Sequence, residues 1–254
     1  MLNQILNLNV YDFLMIFVRI GAALMVMVGF GGLMVPVRVR LLFALVFSVA
    51  LMPVLGPLLP ARPAQPASLT LLIFEEATIG LYMGLISQFL ITAVQLAGAF
   101  MSFLIGISNA FSFDDIANQQ SEVLTTFLTN LALVAIFITG LDHLMLRALV
   151  DSYSLFPPGK PLFLNDFSSV LARTLSASFV MGLRLAAPLL VFGLVFYAGM
   201  GLLSRLVPQM QVFFVAMPIQ VLFGLWLVMV SLPVVVLVFL RYFANGIGAY
   251  VAPG

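Results

Sequence analysis

Charged side chains are so sparse along this chain that the uncharged stretches between them set its architecture. Residues 77–113 carry none. A helix crosses the hydrocarbon core with ~20 residues, so this run is nearly twice too long for one ordinary crossing. The stretches Ile20–Val37, Leu41–Ala61, Val123–Leu141, Leu185–Ser204 and Leu206–Leu240 are also free of charge. They do not alternate polar and apolar over the ~10-residue segments of an outer-membrane barrel. The pattern predicts an all-α, polytopic membrane protein with long broken helices.

Six elements follow from the boundaries of these runs. A first helix is expected from about Tyr11 to Val35, capped by Asn9 or Asp12 and carrying Arg19 within it. Pro36-Val37-Arg38-Val39-Arg40 connects it to a second span, Leu41 to Leu55. Pro57, Pro60, Pro63 and Pro66 recur at every third residue, the period of polyproline II, and predict a stiff spacer. The third element runs from about Leu69 to Phe103. Its Gly80 and Gly84 either admit a neighbouring helix closely or reflect the ordinary glycine content of membrane helices. After the polar segment Gly106–Gln120, a fourth element spans Glu122 to Tyr153. A fifth runs from Ser168 to Ser204 and a sixth from beyond Pro208 to Arg241. Pro188, Pro218 and Pro233 should interrupt these last two.

The third element carries a polar stripe. Gln88, Thr92, Gln95 and Ser102 step by four, three and seven, which puts them on one helical face. Lipid offers such groups no partners, so the stripe should face protein or an aqueous path. Arg184, inside the fifth element, calls for a carboxylate, a carbonyl cage or water for the same reason. Glu75-Glu76 is expected in the first turn of the third helix, where the dipole favours anions; a proton-relay role is the competing reading. His143 beside Asp142 reads as an interfacial, hydrogen-bonded histidine.

Composition narrows the chemistry. Hydrophobic residues make up 63% and charged ones 7%, and the net charge of +1 provides no basic patch for nucleic acid. With no cysteine and one histidine, thiol, iron–sulfur and metal chemistry are not expected, and no cofactor is called for. The single lysine, Lys160, lacks the surrounding residues of a phosphate-binding loop. No nucleophile motif or carboxylate dyad is present, so the chain is not expected to be an enzyme. Positive charge does not fix topology. If the first connector is cytoplasmic, Arg38, Arg40 and Arg205 lie inside, but Arg62, Arg147, Lys160, Arg173 and Arg241 fall nearer the other face.

One motif stands out. Gly201-Leu202-Leu203-Ser204-Arg205-Leu206-Val207-Pro208-Gln209 is a tight break between two long helices. Arg205 complements the carboxyl end of the fifth helix, and Pro208 suits the first turn of the sixth. The Gly-Leu-Leu-x-Arg-x-x-Pro-Gln pattern resembles the FliR/MopE/SpaR family of type III secretion export-apparatus proteins. The likeness extends to Pro36–Leu41, to Gly106-Ile107-Ser108 through Asp114, to His143 and Val150-Asp151, and to Pro157–Gly159. One departure is that Phe111-Ser112-Phe113-Asp114-Asp115 lacks the Asp-Pro pair often seen there.

The resemblance implies a single-copy subunit of an export gate in the bacterial inner membrane, within the flagellar basal body. About residues 1–165 would be FliP-like and about 166–254 a FliQ-like hairpin. FliP, FliQ and FlhB-like subunits would be its partners, and unfolded exported proteins its cargo. Gly106, Ile107, Asn109, Phe111, Phe113 and Asp114 would belong to a plug in the channel; an ordinary buried loop is the alternative. Arg205, Pro208 and Gln209 would mark a partner-contacting tip, with Gln88 and Gln95 as further contacts. The equivalent injectisome subunit and a stand-alone transporter are the competing functions.

Overall fold

The computed structural model describes residues 2–32, 35–63, 65–106, 123–160, 164–206 and 212–251. Among these, seven α-helices and one short 3-10 turn occur, and no strand. The helices are α1 (Leu2–Val26), α2 (Val37–Leu55), α3 (Pro66–Ile105), α4 (Val123–Ile138), α5 (Leu141–Leu155), α6 (Leu164–Leu206) and α7 (Val212–Gly248). α3 and α6, with 40 and 43 residues, extend about 60 and 65 Å at 1.5 Å per residue, roughly twice a hydrocarbon core. Four helices, α2, α3, α6 and α7, are long and apolar enough to cross a membrane, and the bent pair α4–α5 adds a fifth candidate.

Residues pack into two compact units. The first comprises residues 1–90, 139–174 and 243–254. In it α1 and α3 run parallel: Gly80 faces the Arg19 carbonyl and Gly84 the Ala23 carbonyl, with no room for a Cβ at either glycine. Close approach, not background glycine content, is the role of this pair. The same seam is tied by the Val28 N–H, which donates to Ser87 Oγ at 3.1 Å. α1 ends at Val26, well short of Val35, because Gly29 and Gly32 take positive φ and turn the chain. Arg40 then donates to the carbonyls of Gly32 (2.6 Å), Val35 (3.1 Å) and Met25 (3.4 Å), satisfying groups that the helix end leaves open.

Several sequence expectations are corrected here. α1 begins at Leu2, so neither Asn9 nor Asp12 caps it. The proline-rich spacer is shorter than its period suggests, since Pro57 lies in the 3-10 turn Gly56–Leu58 and Pro66 opens α3. That early start leaves Glu76 ten residues into α3, not in its first turn. The fourth element is two helices bent by 73° at Gly140, whose φ of +73° ends α4.

The second unit comprises residues 91–138 and 175–242. Here α6 and α7 are antiparallel, joined by Ser178 to Tyr242 (2.8 Å) near one end and Tyr197 to Gln220 (3.1 Å) near the other. α3 runs parallel to α6, with Gly182 against Ala93 and Leu96 and Gly193 against Leu104. Gly98 meets Thr125 of α4, and Gly224 of α7 meets Ile105. Contacts of this kind let backbones approach where lipid supplies no hydrophobic drive. Pro188, Pro218 and Pro233 lie inside unbroken helices, so the expected interruptions do not occur. Each removes one backbone donor without ending its helix.

Burial separates the long helices by role. In its most apolar window α3 is 56% buried, against 17% for α2 and for Ala216–Gly248. α3 is the packed helix. α7 leaves Leu222, Phe223, Trp226, Met229, Val230 and Val234 exposed along one side, which in a membrane protein is a surface for lipid or other subunits.

Candidate functional site

Gln220 organises the second unit at the carboxyl end of α3. The last carbonyls of a helix have no partner within it. The Leu104 carbonyl accepts a hydrogen bond from Gln220 Nε2 at 2.8 Å, and the same amide nitrogen donates to the Tyr197 hydroxyl at 3.1 Å. Gly106 follows with φ +80° and lies against the Gln220 amide, where a Cβ would stand 3.2 Å from Nε2. That left-handed conformation suits glycine and ends the helix. A cavity of about 90 Å³ adjoins the amide, lined in part by Phe196, Met200 and Met217. Of the expected plug residues, Gly106 is therefore placed. Ile107, Asn109, Phe111, Phe113 and Asp114 lie outside the described residues.

A second polar cluster sits in the first unit and is fully buried. The Arg19 Nη2 donates to Glu76 Oε1 at 2.9 Å and Nε to Oε2 at 2.5 Å, a fork-on-fork pair. Arg19 Nη1 reaches Ser152 Oγ at 3.3 Å, Nη2 also reaches the Phe156 carbonyl at 3.1 Å, and the guanidinium carbon stands 3.9 Å over the Tyr153 ring. The arrangement ties α1 to α3 and to the end of α5. Neither pairing nor burial of Glu76 was anticipated, because its partner lies 57 residues away and the signal is two charges in otherwise apolar runs.

Beside it, Tyr82 stacks on Phe167 at a centroid distance of 4.3 Å and meets Phe156 edge-on. Its hydroxyl lies 3.1 Å from that of Tyr250, which burial raises above the ordinary tyrosine range against the lowering effect of this hydrogen bond.

The remaining expectations fall in different places. Arg205 is exposed in the last turn of α6, where it complements the helix dipole; Pro208 and Gln209 lie outside the described residues. On α3, Gln88 is exposed, Gln95 half-buried and Ser102 buried with its hydroxyl on the Gly98 carbonyl at 2.8 Å. Arg184 is exposed, so of the partners its position calls for no enclosing protein cage is present within the described residues of this chain. His143 is exposed and lies 3.0 Å from Asp142 Oδ1, which agrees with the hydrogen bond expected of it. Among the described residues no group of three or more His, Cys, Asp or Glu side chains is placed to hold a metal.

The chemistry offered by these sites is packing and hydrogen bonding, with polar groups spent on holding long helices together. Comparison with known proteins gives the arrangement a context. Flagellar biosynthetic protein FliR of Caulobacter vibrioides is 36% identical over 88% of this chain and 89% of its own. FliR of Bacillus subtilis is 28% identical over 91% and 90%. The secretion system apparatus protein SsaT of Salmonella typhimurium is 24% identical over 64% and 63%. The family of bacterial export proteins, family 1, matches residues 10–246. With its all-helical, membrane-embedded fold, the chain belongs to that family of bacterial export proteins.

Proposed function

We propose that this chain is a core subunit of the flagellar type III protein export gate. With FliP- and FliQ-like subunits it forms the inner-membrane channel that passes unfolded flagellar axial proteins during assembly, and an FlhB-like subunit lies against its cytoplasmic side. The observation that carries this reading is likeness to flagellar FliR proteins over nearly the whole of both chains. Physical features support it. Helices about twice as long as the hydrocarbon core is thick suit a subunit embedded in a surrounding assembly. The polar face of α3 also suits protein contact better than lipid.

Within that assembly the first two-thirds of the chain, about residues 1–165, is the FliP-like part and about 166–254 the FliQ-like hairpin. The segment beginning at Gly106, with Ile107, Asn109, Phe111, Phe113 and Asp114, is the plug. Arg205, Pro208 and Gln209 form the tip that meets partner subunits, with Gln88 and Gln95 contributing along α3.

The test is co-expression with the neighbouring export genes, purification in mild detergent and native mass spectrometry. A complex with one copy of this chain and several copies of its partners is expected, together with restored motility in a strain lacking its own FliR. Recovery solely as a stable free monomer, with no motility restored, would exclude the gate assignment.

A further inference from the structure

Three physical properties meet at Gln220. The residue is buried at 6% exposure and its amide holds both the Leu104 carbonyl and the Tyr197 hydroxyl, so one side chain of α7 grips the end of α3 and links it to α6. The turn of α7 just before it is softened, since Pro218 supplies no N–H to the Phe214 carbonyl four residues back. The neighbouring cavity of about 90 Å³ is lined by Met200 and Met217, whose unbranched thioethers repack readily. A contact meant only to cap α3 would need neither a weakened turn nor room beside it. Neutral hydrogen bonds also release more easily than an ion pair.

We propose that Gln220 is a positioning residue, a releasable polar latch that fixes the carboxyl end of α3 against α7 in the closed gate. Its release lets the two helix ends part when a chain is exported. This inference rests on the export-gate reading above. The latch acts through the Leu104 carbonyl and the Tyr197 hydroxyl, and Gly106 keeps the amide accessible because any side chain there would press on it.

The experiment uses the assembled complex in cells that depend on this chain for export. Gln220→Leu removes both donated bonds. The assembled variant should admit small solutes across the inner membrane on the order of tenfold faster or more, the change expected from losing two neutral hydrogen bonds of modest net worth. Tyr197→Phe should leak less, and should add nothing to Gln220→Leu because both act on one contact. The chain has no cysteine, so Ile105→Cys with Gly224→Cys offers a selective lock. The Ile105 Cβ stands 3.1 Å from where a Cβ of residue 224 would be, so the two helices need move apart by only a few tenths of an ångström to reach the ~3.5–4.5 Å of a disulfide. Oxidation should arrest export and reduction should restore it.

An assembled Gln220→Leu gate as tight as the wild type would overturn the latch. So would undiminished export through the locked complex, or failure of the disulfide to form in it. If Gln220→Leu does not assemble, the cysteine pair decides alone. Failure of the export-gate reading looks different: the unaltered chain then restores no export, and the latch falls with it.

Discussion

Arg19 and Glu76 place a full charge pair where 0% of either residue is exposed. Water lost by such a pair is recovered only through its own hydrogen bonds, and here Ser152, the Phe156 carbonyl and the Tyr153 ring complete the set. Removing one partner leaves the other charge buried and unsatisfied. Glu76→Ala should therefore destabilise the fold by about 3–5 kcal/mol, read as a lower midpoint of thermal unfolding for the purified complex in detergent. Replacing both residues by apolar ones of similar length, Arg19→Met with Glu76→Leu, should recover most of that loss, since the cost lies in the orphaned charge. A double variant as unstable as the single would show that the pair holds α1 on α3 by direction and not by mere neutralisation. Gln220 is the neutral counterpart: its partners are a carbonyl and a hydroxyl, so its loss should be felt in the local position of a helix end more than in global stability.

At the scale of the element, glycines decide which helices touch. Gly80 and Gly84 let α1 lie against α3 at backbone distance, and the register they impose is what brings Arg19 opposite Glu76. A Cβ at Gly80 would collide with the Arg19 carbonyl, which is backbone and cannot turn aside. Gly80→Ala should cost about 1–3 kcal/mol, as overpacking of a filled interior does. Gly21→Ala, with nothing within 4 Å of the new methyl, should be neutral or gain about 0.5–1 kcal/mol as a helical Gly→Ala change does. Equal thermal shifts in the two variants would remove the close-packing account. These same particulars explain what the sequence revealed. Charge-free runs gave away the long helices because lipid and protein interiors both exclude charge, and the Gly80–Gly84 pair was visible though its purpose stayed open. The prolines misled: Pro188, Pro218 and Pro233 lie in helices long enough to absorb one missing bond, while the real break fell at Gly140. Pairing of Arg19 with Glu76 and of Gln220 with Leu104 depends on helix register across 57 and 116 residues, which local periodicity does not encode.

For the whole molecule, the proposed gate function raises the question of how such an assembly would stay closed to ions yet pass an unfolded chain. α3 is the most enclosed of the long helices, and Gly106, the residue that follows its end, immediately precedes residues 107–122 in sequence. In sequence that segment combines Phe111 and Phe113, bulky and unable to coordinate ions, with Ser108, Asn109 and Ser112, which disfavour permanent burial in an apolar core. The proposed plug role asks for a segment that can be displaced, which is cheapest where few backbone hydrogen bonds and contacts are given up. Removing Asn109–Phe113 should thus leave the complex assembled, since the helix contacts of Gly98, Gly182, Gly193 and Gly224 are untouched. The assembled deletion variant should nevertheless conduct small ions and sensitise cells to small solutes, with conductance across the inner membrane as the direct measure. A deletion complex that assembles and stays as tight as the wild type would return these residues to the role of a buried connector. Closure would then rest on the helix ends themselves, beginning with the grip of Gln220 on α3.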